Sequence, residues 1–204
     1  MGPSGHFRGR RRAGVALVTT ALLLAGAAGC TDGEPETEEG AEAPEPTSQA
    51  PTVETRASVG EVAGRLPRPA RRTAVRDVVE VVDGWIDDAH VGGEWPRAIG
   101  AEAYDGFTPA AARAAEQDAA LTSAAEISEQ VDSVAVKRRV VRVDLVGARG
   151  RAVGATARVV LTYETQSGEG EGETQTVRVR GRLLLTPTKQ GWKVFGHDLT
   201  EETR

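Results

Sequence analysis

One cysteine, Cys30, stands in 204 residues, so no disulfide can close within the chain. Aromatic residues are scarce, with 3 Trp, 2 Tyr and 3 Phe. Strands with a basic face but few interleaved aromatics do not make a nucleic-acid surface. Arg138, Arg139, Arg178, Arg180 and Arg182 alternate with apolar residues and read as the wet face of strands. Three histidines and no second cysteine leave too few ligands for a metal centre, and no glycine-rich phosphate loop is present. The Gly168–Gly172 run reads as an acidic hairpin tip that would repel phosphate and at most hold a cation loosely. There is no internal repeat. No apolar run reaches the ~20 residues a bilayer-spanning helix requires.

The charge is unevenly spread. Residues 1–29 hold four arginines and no acid, and residues 31–56 hold eight acids and one base. From position 57 onward there are 20 bases and 22 acids. The net charge of -5 is therefore a sum over unlike parts.

The first part has the layout of an export signal. Met1 to Arg12 is basic, and Ala13 to Ala28 is a 16-residue apolar stretch, too short for a permanent anchor. Arg11-Arg12 precedes it without the rest of a twin-arginine motif. Ala28-Gly29-Cys30 resembles the end of a bacterial lipobox, with Ala27 where leucine is usual. The resemblance implies cleavage between Gly29 and Cys30 and a diacylglyceryl group on the Cys30 thiol. Two acyl chains are what stable anchoring takes, so the expected location is the outer face of the cytoplasmic membrane. Cleavage by the ordinary signal peptidase, giving a plain secreted protein, is the alternative.

Residues 31–56 are rich in Glu, Pro, Gly, Thr and Ala, and Val53 is their only large apolar residue. Such a segment buries too little surface to offset its ordering entropy and is expected to be a disordered tether. In an extended form it spans up to ~80 Å.

Residues 57–204 are expected to form one α+β domain. Val75, Val78, Val79, Val82, Trp85, Ile86 and Ala89 recur at helical spacing and predict a helix over 73–90, with Pro67 and Pro69 before it and Gly92-Gly93 after. A short helix is expected within 98–104. Thr108-Pro109 caps a further alanine-rich helix that runs to 125. After Val131 the period becomes two. Strands are expected at 141–145, 153–164, 177–186 and 192–199, joined by turns at 147–150, 166–173 and 187–191. Short links predict antiparallel neighbours, and one apolar face per strand predicts a sheet covered on one side by the earlier helices. The expected architecture is N-terminal helices packed on a curved antiparallel sheet of about four strands.

Val82-Asp83-Gly84-Trp85, Gly92-Gly93-Glu94-Trp95-Pro96-Arg97, Phe107-Thr108-Pro109 with Ala115–Leu121, and Arg180–Leu185 leading to Trp192–Gly196 carry a family resemblance over roughly 70–200. The chain resembles the cone of the nuclear transport factor 2-like (NTF2-like) superfamily, and is similar in detail to exported proteins of high-GC Gram-positive bacteria, including Mce-associated proteins. The resemblance implies a cone and an envelope location but no activity, since such folds host enzymes and binding domains alike. Enzymes of this kind place Asp, His or Tyr in the cone mouth, for which this chain offers His90, His197, Tyr104, Tyr163, Asp87, Asp88 and Asp198. None of these matches a family motif. His197 and Asp198 are adjacent in a strand and should point to opposite faces. Asp87 and Asp88 end a helix where carboxylates oppose its dipole, a cost that solvent exposure relieves, whereas His90 suits that dipole. Trp85, Trp95 and Trp192 read as packing. The leading expectation is a non-catalytic binding or interaction domain without cofactor or metal, taking an envelope protein or an apolar small ligand. An isomerase- or dehydratase-like enzyme is the alternative.

Overall fold

A computed structural model describes residues 53–168 and 172–204. The expected signal segment, Cys30 and most of the expected tether lie outside the described residues, as does the tip at 169–171. The elements are β1 (Arg56–Gly64), α1 (Arg68–Ile86), a π-helical turn (Asp87–Val91), a 3-10 turn (Ala101–Tyr104), α2 (Pro109–Gln117), α3 (Ala119–Thr122), β2 (Ser133–Ala148), β3 (Arg151–Ser167), β4 (Glu173–Thr188) and β5 (Gly191–Thr203). They build an α+β fold around a curved, unclosed sheet in the order β1-β2-β3-β4-β5.

Two expectations about the sheet need correction. Among the described residues it has five strands where about four were expected, and it is mixed: β1 lies parallel to β2, while β2 to β5 form the antiparallel meander. β1 falls where the tether was expected to end. Its residues are largely exposed and broken by Gly60, so no alternation marks it; its place comes from backbone pairing along β2. The four meander strands are also longer than their apolar cores, running on where polar residues pair across the ladder.

The helix starts at Arg68 rather than at position 73. Pro67 is its cap and Pro69 lies in its first turn, where the missing N–H has no intrahelical partner to lose. Arg71 N donates to Pro67 O at 3.0 Å and opens the ladder. Ala74, Val78, Val82, Trp85 and Ile86 are buried along one stripe. The alanine-rich segment divides into α2 and α3, and Thr108 Oγ1 caps α2 by accepting from Ala111 N.

α1 lies in the concave face of the sheet. Across the strands that face presents rows in register: Leu145, Ala155 and Leu185; Val143, Ala157, Leu183 and His197; then Arg139, Leu161, Val179 and Glu201; then Val136, Tyr163, Val177 and Thr203. The valine and leucine side chains of the first three rows are fully or almost fully buried against α1. Among the described residues no helix is long and apolar enough to cross a membrane.

Candidate functional site

Polar residues enter the concave face at one end, where α1 stops and its π-helical turn begins. The turn closes with Gly92 N donating to Asp87 O at 2.8 Å, and this change of winding turns Ala89 and His90 inward. On β2 a register shift between Val136 and Arg138 reverses the alternation, so Val136 and Arg139 both face in. Arg139, expected on the wet face, is thus buried. Its Nη1 donates to Asp87 Oδ1 at 2.7 Å, and its Nη2 donates to Asp83 Oδ1 at 3.1 Å and Asp87 Oδ2 at 3.3 Å. Thr55 Oγ1 adds a bond to Asp83 Oδ1 at 2.5 Å. Asp87 is therefore held by an ion pair while its side chain stays about half exposed to solvent, and the bridge fixes the end of α1 to β2.

Beside this bridge, Trp85 meets the His90 ring edge-on at 5.0 Å, and the Tyr163 ring is 6.1 Å from His90. Both His90 ring nitrogens and the Tyr163 hydroxyl are buried without a hydrogen-bond partner among the described residues. Glu201, at the same end on β5, also has a buried oxygen, Oε2, with no partner among the described residues. Buried polar atoms are paired as a rule, so this concentration of unpartnered ones in an apolar wall is unusual.

The electrostatics favour uncharged groups. Burial, then the positive charge of Arg97, pushes the His90 pKa down to about 3. Burial, then the nearby Glu201 charge, pushes the Tyr163 pKa well above its ordinary value. Burial, then Glu126, pushes Glu201 up to about 7. At neutral pH His90 is a neutral imidazole with one donor and one acceptor, Tyr163 is a neutral phenol, and Glu201 is partly protonated. Neither ring exchanges a proton readily near pH 7; Glu201 alone is poised to do so.

The other expected residues are not brought to this cluster. Tyr104 hydroxyl bonds Thr122 Oγ1 at 2.9 Å within the helical layer. His197 turns inward but pairs with Asp118 at 3.2 Å, while Asp198 on the opposite face pairs with Arg182. Asp88 is exposed, and its backbone oxygen accepts from Arg97 Nη2 at 2.8 Å. Trp85 and Trp192 are core residues, and Arg97 sits 5.0 Å over the Trp95 ring. Among the described residues no three His, Cys, Asp or Glu side chains gather to hold a metal.

Sequence reasoning missed Glu201 and the role of Arg139. The alternation His197, Leu199, Glu201 runs past the expected end of the last strand, and that period was the signal for Glu201. The bulge that turns Arg139 inward leaves no such mark. Compared with known proteins, the chain matches no protein-family model, no curated protein and no solved structure.

Proposed function

We propose that the chain is an extracytoplasmic lipoprotein whose folded unit is an NTF2-like cone acting as a non-catalytic binding domain. The unpartnered, uncharged polar groups of His90 and Tyr163 inside an apolar wall carry the binding reading. A buried donor or acceptor without a partner costs about 1–3 kcal/mol, and a bound molecule that completes these bonds offsets that cost. The chemistry suits an uncharged, mainly apolar ligand with one or two hydrogen-bonding atoms. The concave sheet with α1 laid in it supports the cone reading, and Ala28-Gly29-Cys30 behind an apolar stretch supports the lipid on Cys30.

Mass spectrometry of organic extracts and of the intact protein purified from its envelope tests the binding reading. A co-purifying neutral molecule, lost from Tyr163→Phe and His90→Phe variants that still fold, is the expected result. An empty protein in every preparation would overturn it. Cys30→Ala is expected to release the protein from membranes; retention there would refute the lipid. The pKa of Glu201 favours one second reading, a proton-transfer enzyme. Under that reading Glu201→Gln abolishes turnover of a ligand that still binds.

A further inference from the structure

The convex face of the sheet carries a pattern the binding reading does not use. In register across β2 to β5 lies the row Arg142, Arg158, Arg182, Asp198. Two positions along each strand lies a second row, Val140, Val160, Arg180, Thr200, and beyond it a third, Arg138, Thr162, Arg178, Glu202. The two central strands thus hold four arginines in these rows and no carboxylate. Acids flank them: Asp144 on β2, Asp198 and Glu202 on β5, and Glu164 toward one end. Arg158 stands directly opposite Arg182, a like-charge pairing that disfavours the sheet. The two are drawn apart, Arg158 to Asp144 at 2.7 Å and Arg182 to Asp198, and Arg180 pairs with Glu202, so a phosphate at these three arginines competes with a carboxylate. The Arg158 and Arg182 side chains stay 56% and 51% exposed.

Arg178 Nε is buried with no hydrogen-bond partner among the described residues, beside a hollow of about 280 Å³ lined by Arg138, Thr162, Thr176, Arg178, Glu202 and Arg204. The charge is directional across the molecule. Residues 66–132, which form the helical layer, hold 13 acids and 6 bases, whereas residues 133–204 hold 13 bases and 8 acids. Guanidinium forks match phosphate oxygens bidentately, and there are no aromatics among these rows on which bases would stack.

We propose that this convex face docks on an anionic phospholipid surface, its central arginines taking headgroup phosphates. The docking follows from the charge pattern, so it stands or falls apart from the ligand in the concave face and from the acyl group on Cys30.

The test is cosedimentation with vesicles of the chain from position 30 onward, carrying Cys30→Ala so that no acyl group contributes. This chain contains all of the compact unit Thr47–Arg204, to which the sheet belongs. Binding is expected to phosphatidylglycerol–phosphatidylcholine vesicles at low ionic strength, to be absent on pure phosphatidylcholine, and to be lost in 0.5 M salt as screening shortens to a few ångströms. Arg158→Gln with Arg182→Gln is expected to weaken it roughly tenfold or more, given the usual contribution of each surface cation near an anionic leaflet. Lys189→Gln, at the β4–β5 hairpin, is the control and leaves binding unchanged. Both arginines are exposed, and an unchanged melting curve verifies the fold. Equal binding to phosphatidylcholine, no binding to phosphatidylglycerol at low salt, or an undiminished double variant would each overturn the proposal. Saturable binding of free glycerol phosphate that displaces the vesicles would overturn it in favour of a small-anion site.

Discussion

Arg139 Nη1 lies 2.7 Å from Asp87 Oδ1, and Arg139 Nη2 lies 3.1 Å from Asp83 Oδ1, so one guanidinium spans two carboxylates a helical turn apart. The burial is lopsided: the arginine side chain is 9% exposed, against 31% for Asp83 and 48% for Asp87. Arg139→Leu leaves two carboxylates that reach water, and is expected to cost about 0–1 kcal/mol. Asp83→Asn with Asp87→Asn strands a buried cation, and is expected to cost about 2–4 kcal/mol. Urea midpoints read both. An arginine deletion costlier than the double carboxylate change would contradict this asymmetry.

His90 and Glu201 give opposite pH dependences. The folded-state pKa of His90 is about 3, below its ordinary 6.5, so the unfolded chain takes up the proton first. The contribution of His90 is full above pH 6.5 and is lost as pH falls toward 3, by about 2 kcal/mol between pH 6.5 and 5. Glu201 is shifted the other way, to about 7 from 4.5. Its contribution is full below pH 4.5 and fades as pH rises through 7. It is partly solvated, so its share is about 1 kcal/mol after screening. Denaturant titrations from pH 4.5 to 8 should show the acid limb vanish in His90→Phe and the loss on the alkaline side shrink in Glu201→Gln. Parallel profiles for wild type and His90→Phe would show that the imidazole is not held neutral.

How far the sequence discloses these groups differs residue by residue. The helical stripe from Ala74 to Ile86 and the alternations in β3 and β4 are legible because burial on one side imposes a period. β1 is not, because it is an exposed edge held by main-chain bonds, which carry no side-chain pattern. One extra residue at Lys137 inverts the parity of β2, and without it Arg139 would face water as its neighbours imply. The π-helical turn does the same to His90, converting a favourable helix-end cation into a buried neutral ring. Both local irregularities lie at the polar end of the concave face, where the regular period is broken.

Thr122 joins three parts of the helical layer. Its backbone oxygen accepts from Trp85 Nε1 at 3.0 Å, and its hydroxyl donates to Ala115 O at 2.7 Å. With that proton committed, the Tyr104 hydroxyl is the donor in the 2.9 Å contact to Thr122 Oγ1. Thr122→Val keeps the shape but strands the Tyr104 hydroxyl, while the Ala115 carbonyl still accepts from Asp118 N at 3.1 Å, for an expected loss of about 1–2 kcal/mol. Adding Tyr104→Phe removes that stranded group, so the double variant should be less destabilised than the sum of the singles. Additive losses in that cycle would show that the hydroxyls do not interact.

Two glycines set a final pair of expectations with opposite signs. Gly181 has φ +148 on the concave face, and a Cβ there would overlap the Asp198 carbonyl oxygen and crowd Leu199 Cα at 2.8 Å. Both are backbone atoms of the paired strand, so relief requires β5 to move. Gly181→Ala is expected to cost more than about 2 kcal/mol, seen as a fall in Tm of several degrees. Gly84 lies in α1 with ordinary helical geometry, is exposed, and has nothing within 4 Å of an added Cβ. Gly84→Ala restricts the unfolded chain without a clash and should stabilise by about 0.5–1 kcal/mol. Thermal melts of the two variants should therefore move to either side of wild type. A destabilised Gly84→Ala would mean that something closes on the exposed side of α1, and a neutral Gly181→Ala would mean that β4 and β5 are not held this close.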